Sequence, residues 1–210
     1  KTIKESWLAE WHDSLNSEEE PITYYRVIEE INKNLDLENS IVTHDAGAPR
    51  DTIVPFFSAT IPHSYIGWGK TTHLGFGIPL MIGAKMAQPE KFCLNLMGDG
   101  AFGMSGTDIE TAARSGAAIT TVLLNNSAMA TYSGPLQDTI GEEARNRYGV
   151  STMHGDYAKI AEGMGAIGIK VNKPSDIGPA LKEAQVLNKK GNTVLIEVHA
   201  NIEQRRSKFQ

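Results

Sequence analysis

Two short segments hold the residue types from which an ion site can be built. Gly98-Asp99-Gly100 closes a mostly apolar run, Phe92 to Met97, and precedes a helix-like stretch. Glycines there let backbone N–H groups approach an anion at the start of a helix. A carboxylate beside an anion is repulsive unless a cation lies between them, so Asp99 points to a divalent metal that bridges protein to phosphate. Asn125-Asn126 ends the next apolar run, Ile119 to Leu124, and Asn126 lies 27 residues after Asp99. One helix and one strand fill that interval, which brings both side chains to neighbouring strand tips. A carboxylate oxygen, an amide oxygen and a backbone carbonyl are hard ligands suited to magnesium or calcium.

The elements that must position these groups are short apolar runs separated by amphipathic stretches. Strands are expected at 41–43, 92–97, 119–124, 167–171 and 193–198, and helices at 22–35, 75–87, 107–114, 157–164 and 175–187. In the first helix Val27, Ile28, Ile31 and Leu35 follow helical spacing, and Pro21 suits its first turn. Short apolar strands alternating with helices predict an α/β fold, a doubly wound parallel sheet with helices on both faces. Ligands of such sheets sit beyond the carboxyl ends of the strands. That is where His44-Asp45-Ala46-Gly47, Gly98-Asp99-Gly100 and Asn125-Asn126 fall. Residues 1–20 are polar apart from Trp7, Leu8 and Trp11, and read as a linker or arm from a preceding domain.

Composition narrows the function classes. The 210 residues are 40% hydrophobic, enough to bury a core. Acidic residues outnumber basic ones, 25 to 20, and the net charge of -5 disfavours binding a nucleic-acid backbone. No apolar run approaches the roughly 18 residues that span a bilayer, and residues 1–20 lack the apolar stretch of a secretory signal. Cys93 is the single cysteine, which excludes an internal disulfide and a cysteine-rich zinc site. These features predict a cytoplasmic globular protein without a membrane or nucleic-acid partner.

Gly98-Asp99-Gly100, then 24 residues, then Asn125-Asn126, resembles the thiamine diphosphate motif of the acetolactate synthase and 2-oxoacid decarboxylase group. Leu74-Gly75-Phe76-Gly77-Ile78-Pro79 with Ile82-Gly83-Ala84 is similar to that group's helix beside the cofactor. Asp156 to Gly165 and the closing strand Val194 to Val198 are similar to its later segments. The resemblance implies a thiamine diphosphate-binding fold over 21–200, the diphosphate side of the cofactor site, with 201–210 as a C-terminal tail. It implies Mg2+ held by the side chains of Asp99 and Asn126 and the carbonyl of Ala128. Gly98, Gly100, Ala101, Met129 and Ala130 would face the diphosphate, as would Ala46, Gly47 and Ala48. Leu74 matches the apolar residue that wedges under the cofactor and bends its two rings together. Thr72 and His73 flank that wedge, Thr72 with a carbonyl for the aminopyrimidine and His73 as a candidate acid–base group.

Departures from the group's pattern carry expectations too. The stretch 67–74 is longer than in a typical acetolactate synthase. Ala48-Pro49-Arg50 replaces a Gln-His pair, so side-chain contacts to phosphate are expected to be missing there. Ser127-Ala128 replaces acidic residues. The glutamate that activates the cofactor lies, in this group, on a separate pyrimidine-binding domain that this chain does not contain. The implied role is therefore one component of a thiamine diphosphate-dependent lyase or transferase. It would act on a 2-oxo acid, acetolactate synthase-like, with a pyrimidine-binding domain in cis or trans and in a homo-oligomer. Alternatives are a decarboxylase or acyl-CoA lyase component, or a non-catalytic cofactor-binding or assembly module.

Other residues have bland and sharp readings. His44, His63, His73 and His154 are read first as structural or solvated, although histidine titrates near neutrality; His73 stands apart by its place beside Leu74. Tyr65, Trp68 and Lys70 read equally as a substrate-pocket wall and as an aromatic-pinned loop. The stretch 132–148 follows the proposed ligands and reads as a segment that orders over the site. Arg205, Arg206 and Lys208 read as a solvated terminus, and Cys93 as an inert buried thiol. Gly75-Phe76-Gly77 is not a dinucleotide fingerprint, because no strand closely precedes it and no third glycine is in register.

Overall fold

Apolar runs buried on both sides become the strands of one sheet. In the computed structural model, which describes residues 2–67, 69, 73–129, 141–149 and 152–203, six parallel strands pair in the order β2-β1-β3-β4-β6-β5. They are β1 (Ser40–His44), β2 (Tyr65–Ile66), β3 (Phe92–Gly98), β4 (Thr120–Asn125), β5 (Ile167–Val171) and β6 (Val194–His199). The period of two along β3 sends Leu94 and Leu96 into one core and Cys93 and Met97 into the other. Register sets His44 opposite Leu96 and Gly98 opposite Leu124. The carboxyl ends of β1, β3 and β4 therefore lie side by side at one edge of the sheet.

Helices cover both faces. On one side lie α1 (Thr2–Ala9), α2 (His12–Leu15), α3 (Tyr24–Asn34) and α4 (Ala48–Phe56). The other side carries α5 (Gly77–Ala87), α6 (Asp99–Ser105) and α7 (Asp108–Ser115). A further helix, α8, spans Glu142–Tyr148. Of the last two, α9 (Tyr157–Gly163) joins the second face and α10 (Ile177–Lys189) the first. This is the doubly wound α/β architecture expected from the strand–helix alternation. Among the described residues no helix is long and apolar enough to cross a membrane.

The structure adds elements that the pattern did not predict. Two-residue β2 is too short to show a period. Helix α4 contains Pro49 and Pro55, which read as breakers; Pro49 sits in the first turn, where its missing N–H costs nothing. Helix α6 begins at Asp99 itself, so the helix expected after the Gly98-Asp99-Gly100 motif starts within it. Residues 2–20 are largely helical and pack on α3 and α4. Trp7 stacks on Phe56 at 5.0 Å, and buried Trp11 meets Tyr25 at 4.8 Å.

One contact matters for the site. The chain entering α3 pairs with the end of β6, Ile22 N donating to the His199 carbonyl at 3.0 Å and Asn201 N to the Ile22 carbonyl at 2.9 Å. Thr23 then caps α3 by accepting from Arg26 N at 3.1 Å. With Ala200 N on the Asn125 carbonyl at 2.9 Å, the first turn of α3 is held beside the tip of β4.

Candidate functional site

Three strand ends and their turns surround a cleft of about 170 Å³. At the tip of β1, Asp45 is fully buried and works as a latch on the backbone. One carboxylate oxygen accepts from Ala46 N at 2.7 Å and Gly75 N at 3.0 Å, and the other from Gly77 N at 2.8 Å. The turn so held is one that only glycine tolerates. Gly75 has φ +90°, and a methyl on Gly77 would lie 2.1 Å from Asn95 Oδ1. Leu74, at the head of this turn, forms part of the cleft wall. Beyond Asp45, Gly47 at φ +81° starts α4, which has no side-chain cap. Ala48 and Arg50 in its first turn keep N–H groups that could meet a ligand, whereas Pro49 has none. Ala46, Gly47, Ala48, Pro49 and Arg50 form this side of the cleft.

At the tip of β3, Asp99 is 3% exposed. Its Oδ1 accepts from Gly100 N at 2.8 Å, while its buried Oδ2 has no hydrogen-bond partner among the described residues. Burial pushes this carboxyl above its ordinary range, opposed by backbone N–H groups of Gly100, Ser127 and Ala128. A methyl on Gly100 would lie 2.7 Å from the Met129 sulfur, so the two turns approach each other closely.

At the tip of β4 the chain makes a tight turn, with Ser127 at φ +54°. Asn125 holds it, accepting from Ser127 N and Oγ at 3.1 Å each and donating to Glu197 Oε1 at 2.6 Å. Asn126 Oδ1 accepts from Ala128 N at 2.9 Å, and its Nδ2 hydrogen-bonds the Tyr24 hydroxyl. That second bond orients the amide from α3, 102 residues earlier in the chain.

The candidates named from sequence therefore converge. Gly98, Asp99, Gly100 and Ala101 face Asn126, Ala128 and Met129 across the cleft, with Ala46, Gly47, Ala48 and Leu74 on the remaining walls. Thr72 and Ala130 lie outside the described residues, as do Trp68, Lys70, 132–140 and the basic tail Arg205, Arg206 and Lys208. His73 is exposed and forms no part of the wall, and His63 and His154 are also exposed. Where no side-chain contact was expected, Arg50 stands on the wall. Asp45, Tyr24 and Arg50 are the residues that sequence reasoning missed. Cys93 is buried, its thiol pushed up to about 11 by desolvation.

His44 is buried behind the β1 tip, its Nδ1 3.1 Å from the Asp45 carbonyl. Burial first, and then the Arg50 charge, hold its pKa below 6.5. The unfolded chain takes up this proton more readily, so stability is full above pH 6.5 and falls as pH drops towards the lower folded value. Replacing His44 with Gln is expected to flatten that part of the pH–stability curve, as measured by urea unfolding between pH 5 and pH 7. Tyr65, 5.8 Å from His44 and 5.3 Å from Phe57 by ring centroids, has a buried hydroxyl and a raised pKa.

The donor set suits a hard divalent cation whose remaining ligands come from an anion and water. No group of three or more His, Cys, Asp or Glu side chains that could hold a metal occurs among the described residues, and Asp99 is the one acidic residue of the cleft lining among them. Its orphaned oxygen could hold a cation, and the uncapped start of α4 could face an anion.

Comparison with known proteins shows the family. Residues 45–198 match the family model "Thiamine pyrophosphate enzyme, C-terminal TPP binding domain". The mitochondrial acetolactate synthase catalytic subunit of Saccharomyces cerevisiae is 30% identical over 162 residues, covering 77% of this chain and 23% of that protein. The sulfoacetaldehyde acetyltransferase of Castellaniella defragrans is 30% identical over 179 residues, 82% of this chain and 28% of that one. A solved structure, the thiamine diphosphate-dependent 4-hydroxybenzoylformate decarboxylase of Rhodococcus jostii RHA1, superposes with a TM-score of 0.73 at 23% identity. That match covers 88% of this chain and 33% of the other and bears on the fold. The chain thus spans about a quarter to a third of the length of these relatives.

Proposed function

This chain belongs to the thiamine pyrophosphate enzyme family, as its C-terminal TPP-binding domain, and we propose on that premise that its cleft holds the diphosphate of the cofactor through Mg2+. The observation that carries the proposal is the buried Oδ2 of Asp99, unpartnered among the described residues, on the cleft wall with the Asn126–Met129 turn. Asp99, Asn126 and Ala128 are the proposed metal ligands. Backbone at 46–48, 98–101 and 129–130 is proposed to line the diphosphate, with the Ala46 and Gly100 N–H groups already held by Asp45 and Asp99. When bound, the cofactor supplies an electron sink for negative charge that develops beside a substrate carbonyl. The residues of this chain bind and orient it: Asp45 latches the turn that carries Leu74, and Asn125 with Glu197 braces the turn that carries Asn126 and Ala128.

The proposed activity of the complete enzyme is carbon–carbon cleavage or ligation on a 2-oxo acid, acetolactate synthase-like. It requires a pyrimidine-binding domain in cis or trans, and a homo-oligomer is proposed because cofactor sites of this group lie between subunits. Proposed domain limits stay at 21–200, preceded by an arm. The cytoplasm is the proposed compartment on composition alone. The enzyme joined to its pyrimidine-binding domain is expected to consume a 2-oxo acid with thiamine diphosphate and Mg2+ present, and to stop when a chelator is added. Tight cofactor binding without turnover of any 2-oxo acid would instead favour the assembly-module alternative.

Tyr24 supplies a second test. Groups that orient a metal ligand are typically worth ten- to a hundredfold in metal affinity. Tyr24→Phe removes the hydroxyl that fixes the Asn126 amide and is expected to raise the Mg2+ concentration needed for half-maximal cofactor binding about tenfold. Cofactor affinity at saturating Mg2+ should be unchanged, because the ligands themselves remain. Calorimetric titration at several Mg2+ concentrations separates the two effects.

A further inference from the structure

Arg50 is the one cationic side chain on the cleft wall among the described residues. It lies in the first turn of α4, and side chains on a helix lean towards its N-terminus. It shares the cleft wall with Ala46 and Gly47 at the start of that helix. Its partner is its own neighbour: Arg50 Nε and Nη2 donate to Asp51 Oδ1 at 2.9 and 2.7 Å. Both side chains of the pair remain partly exposed, at 23% and 33%. Solvent screening weakens such a partly exposed pair, so a stronger anion can draw the guanidinium away.

The anion expected in this cleft is stronger. A diphosphate carries more negative charge than one divalent cation neutralises, and Asp99 adds a further negative charge. Arginine presents donors in a planar fork that matches two phosphate oxygens, which Asp51, engaged through a single oxygen, does not fully use. Resting on the thiamine diphosphate reading, we infer that Arg50 is a diphosphate-contacting residue which exchanges Asp51 for the cofactor's phosphate oxygens on binding. Asp51 then acts as a competitor that weakens the site. Arg50 supplies a side-chain contact in a segment whose sequence shows neither the glutamine nor the histidine of the acetolactate synthases.

The test uses the full chain and two probes, Mg2+–thiamine diphosphate and Mg2+–inorganic pyrophosphate, with binding measured by calorimetry. Arg50→Ala is expected to weaken both probes about ten- to a hundredfold, the range for hydrogen bonds to charged groups. Arg50→Lys should recover part of that loss, because charge survives and the fork does not. Asp51→Asn should tighten both probes about two- to fivefold. Unliganded melting temperatures of the three variants serve as the folding control. Wild-type pyrophosphate affinity in Arg50→Ala overturns the inference. Asp99→Ala, run alongside, separates the two claims. If it loses binding while Arg50→Ala does not, only the role of Arg50 falls. If it binds like wild type, the cofactor reading falls as well.

Discussion

Asp99→Ala is expected to abolish Mg2+-dependent binding of thiamine diphosphate, a loss of at least a hundredfold, without unfolding the chain. Asp99 is the one acidic side chain on the cleft wall among the described residues, and Asn126 and Ala128 offer only neutral oxygens. Removing it leaves a divalent ion that must be held by dipoles and by the anion it is meant to bridge. Folding should not suffer, because the carboxylate is buried with one oxygen unpartnered and burial already disfavours its charge. Asp99→Asn keeps the shape and the bond from Gly100 N while removing that charge. Its unliganded melting temperature should equal or exceed that of the wild type, even though cofactor binding is lost. A group that costs stability and serves a ligand is the usual exchange at a binding site. A lowered melting temperature in Asp99→Asn would show that the carboxylate is structural instead.

The second large effect belongs to Asp45, whose role is the converse. Its carboxylate satisfies three backbone N–H groups, two of them about 30 residues away on the Leu74 turn. Asp45→Ala leaves those donors buried without a partner, each at about 1–3 kcal/mol. The total expected is about 3–5 kcal/mol, a large share of the stability of a typical domain. Asp45→Asn retains one accepting oxygen and turns an N–H2 group towards a donor, so an intermediate loss of about 1–3 kcal/mol is expected. Urea unfolding reads both values. Unchanged midpoints would mean that the turn is held by Gly77 packing on Asn95 alone.

These two aspartates show what the sequence can and cannot disclose. The places of Asp99 and Asn126 at strand tips are legible because each follows a buried strand, and central parallel strands appear as continuous apolar runs that mark their own ends. Strands β3, β4 and β6 read within a residue or two for the same reason, edge strand β5 reads through its alternation with the helices on either side, and β1 reads short by one residue at each end. Asp45 sits at an equally visible strand end, yet its partners are backbone N–H groups, which leave no trace in side-chain identity. Tyr24 was illegible because its partner is 102 residues away, and only the pairing of Ile22 with the end of β6 brings them together. Arg50 was hidden with its helix, since Pro49 and Pro55 make 48–56 read as coil. His73 was singled out by its neighbour in sequence, whereas the turn that points Leu74 inwards leaves His73 exposed.

The central claim is that one cleft, beyond β1, β3 and β4, takes a metal-bound diphosphate. The most direct measurement is an amide chemical-shift titration of the isotope-labelled chain with thiamine diphosphate, run with Mg2+ and again with a chelator. NMR detects even the weak binding expected of half a cofactor site. The account predicts Mg2+-dependent shifts concentrated at 46–50, 98–101 and 126–129 and absent with chelator. Shifts centred elsewhere on the sheet, or identical with and without Mg2+, would contradict it.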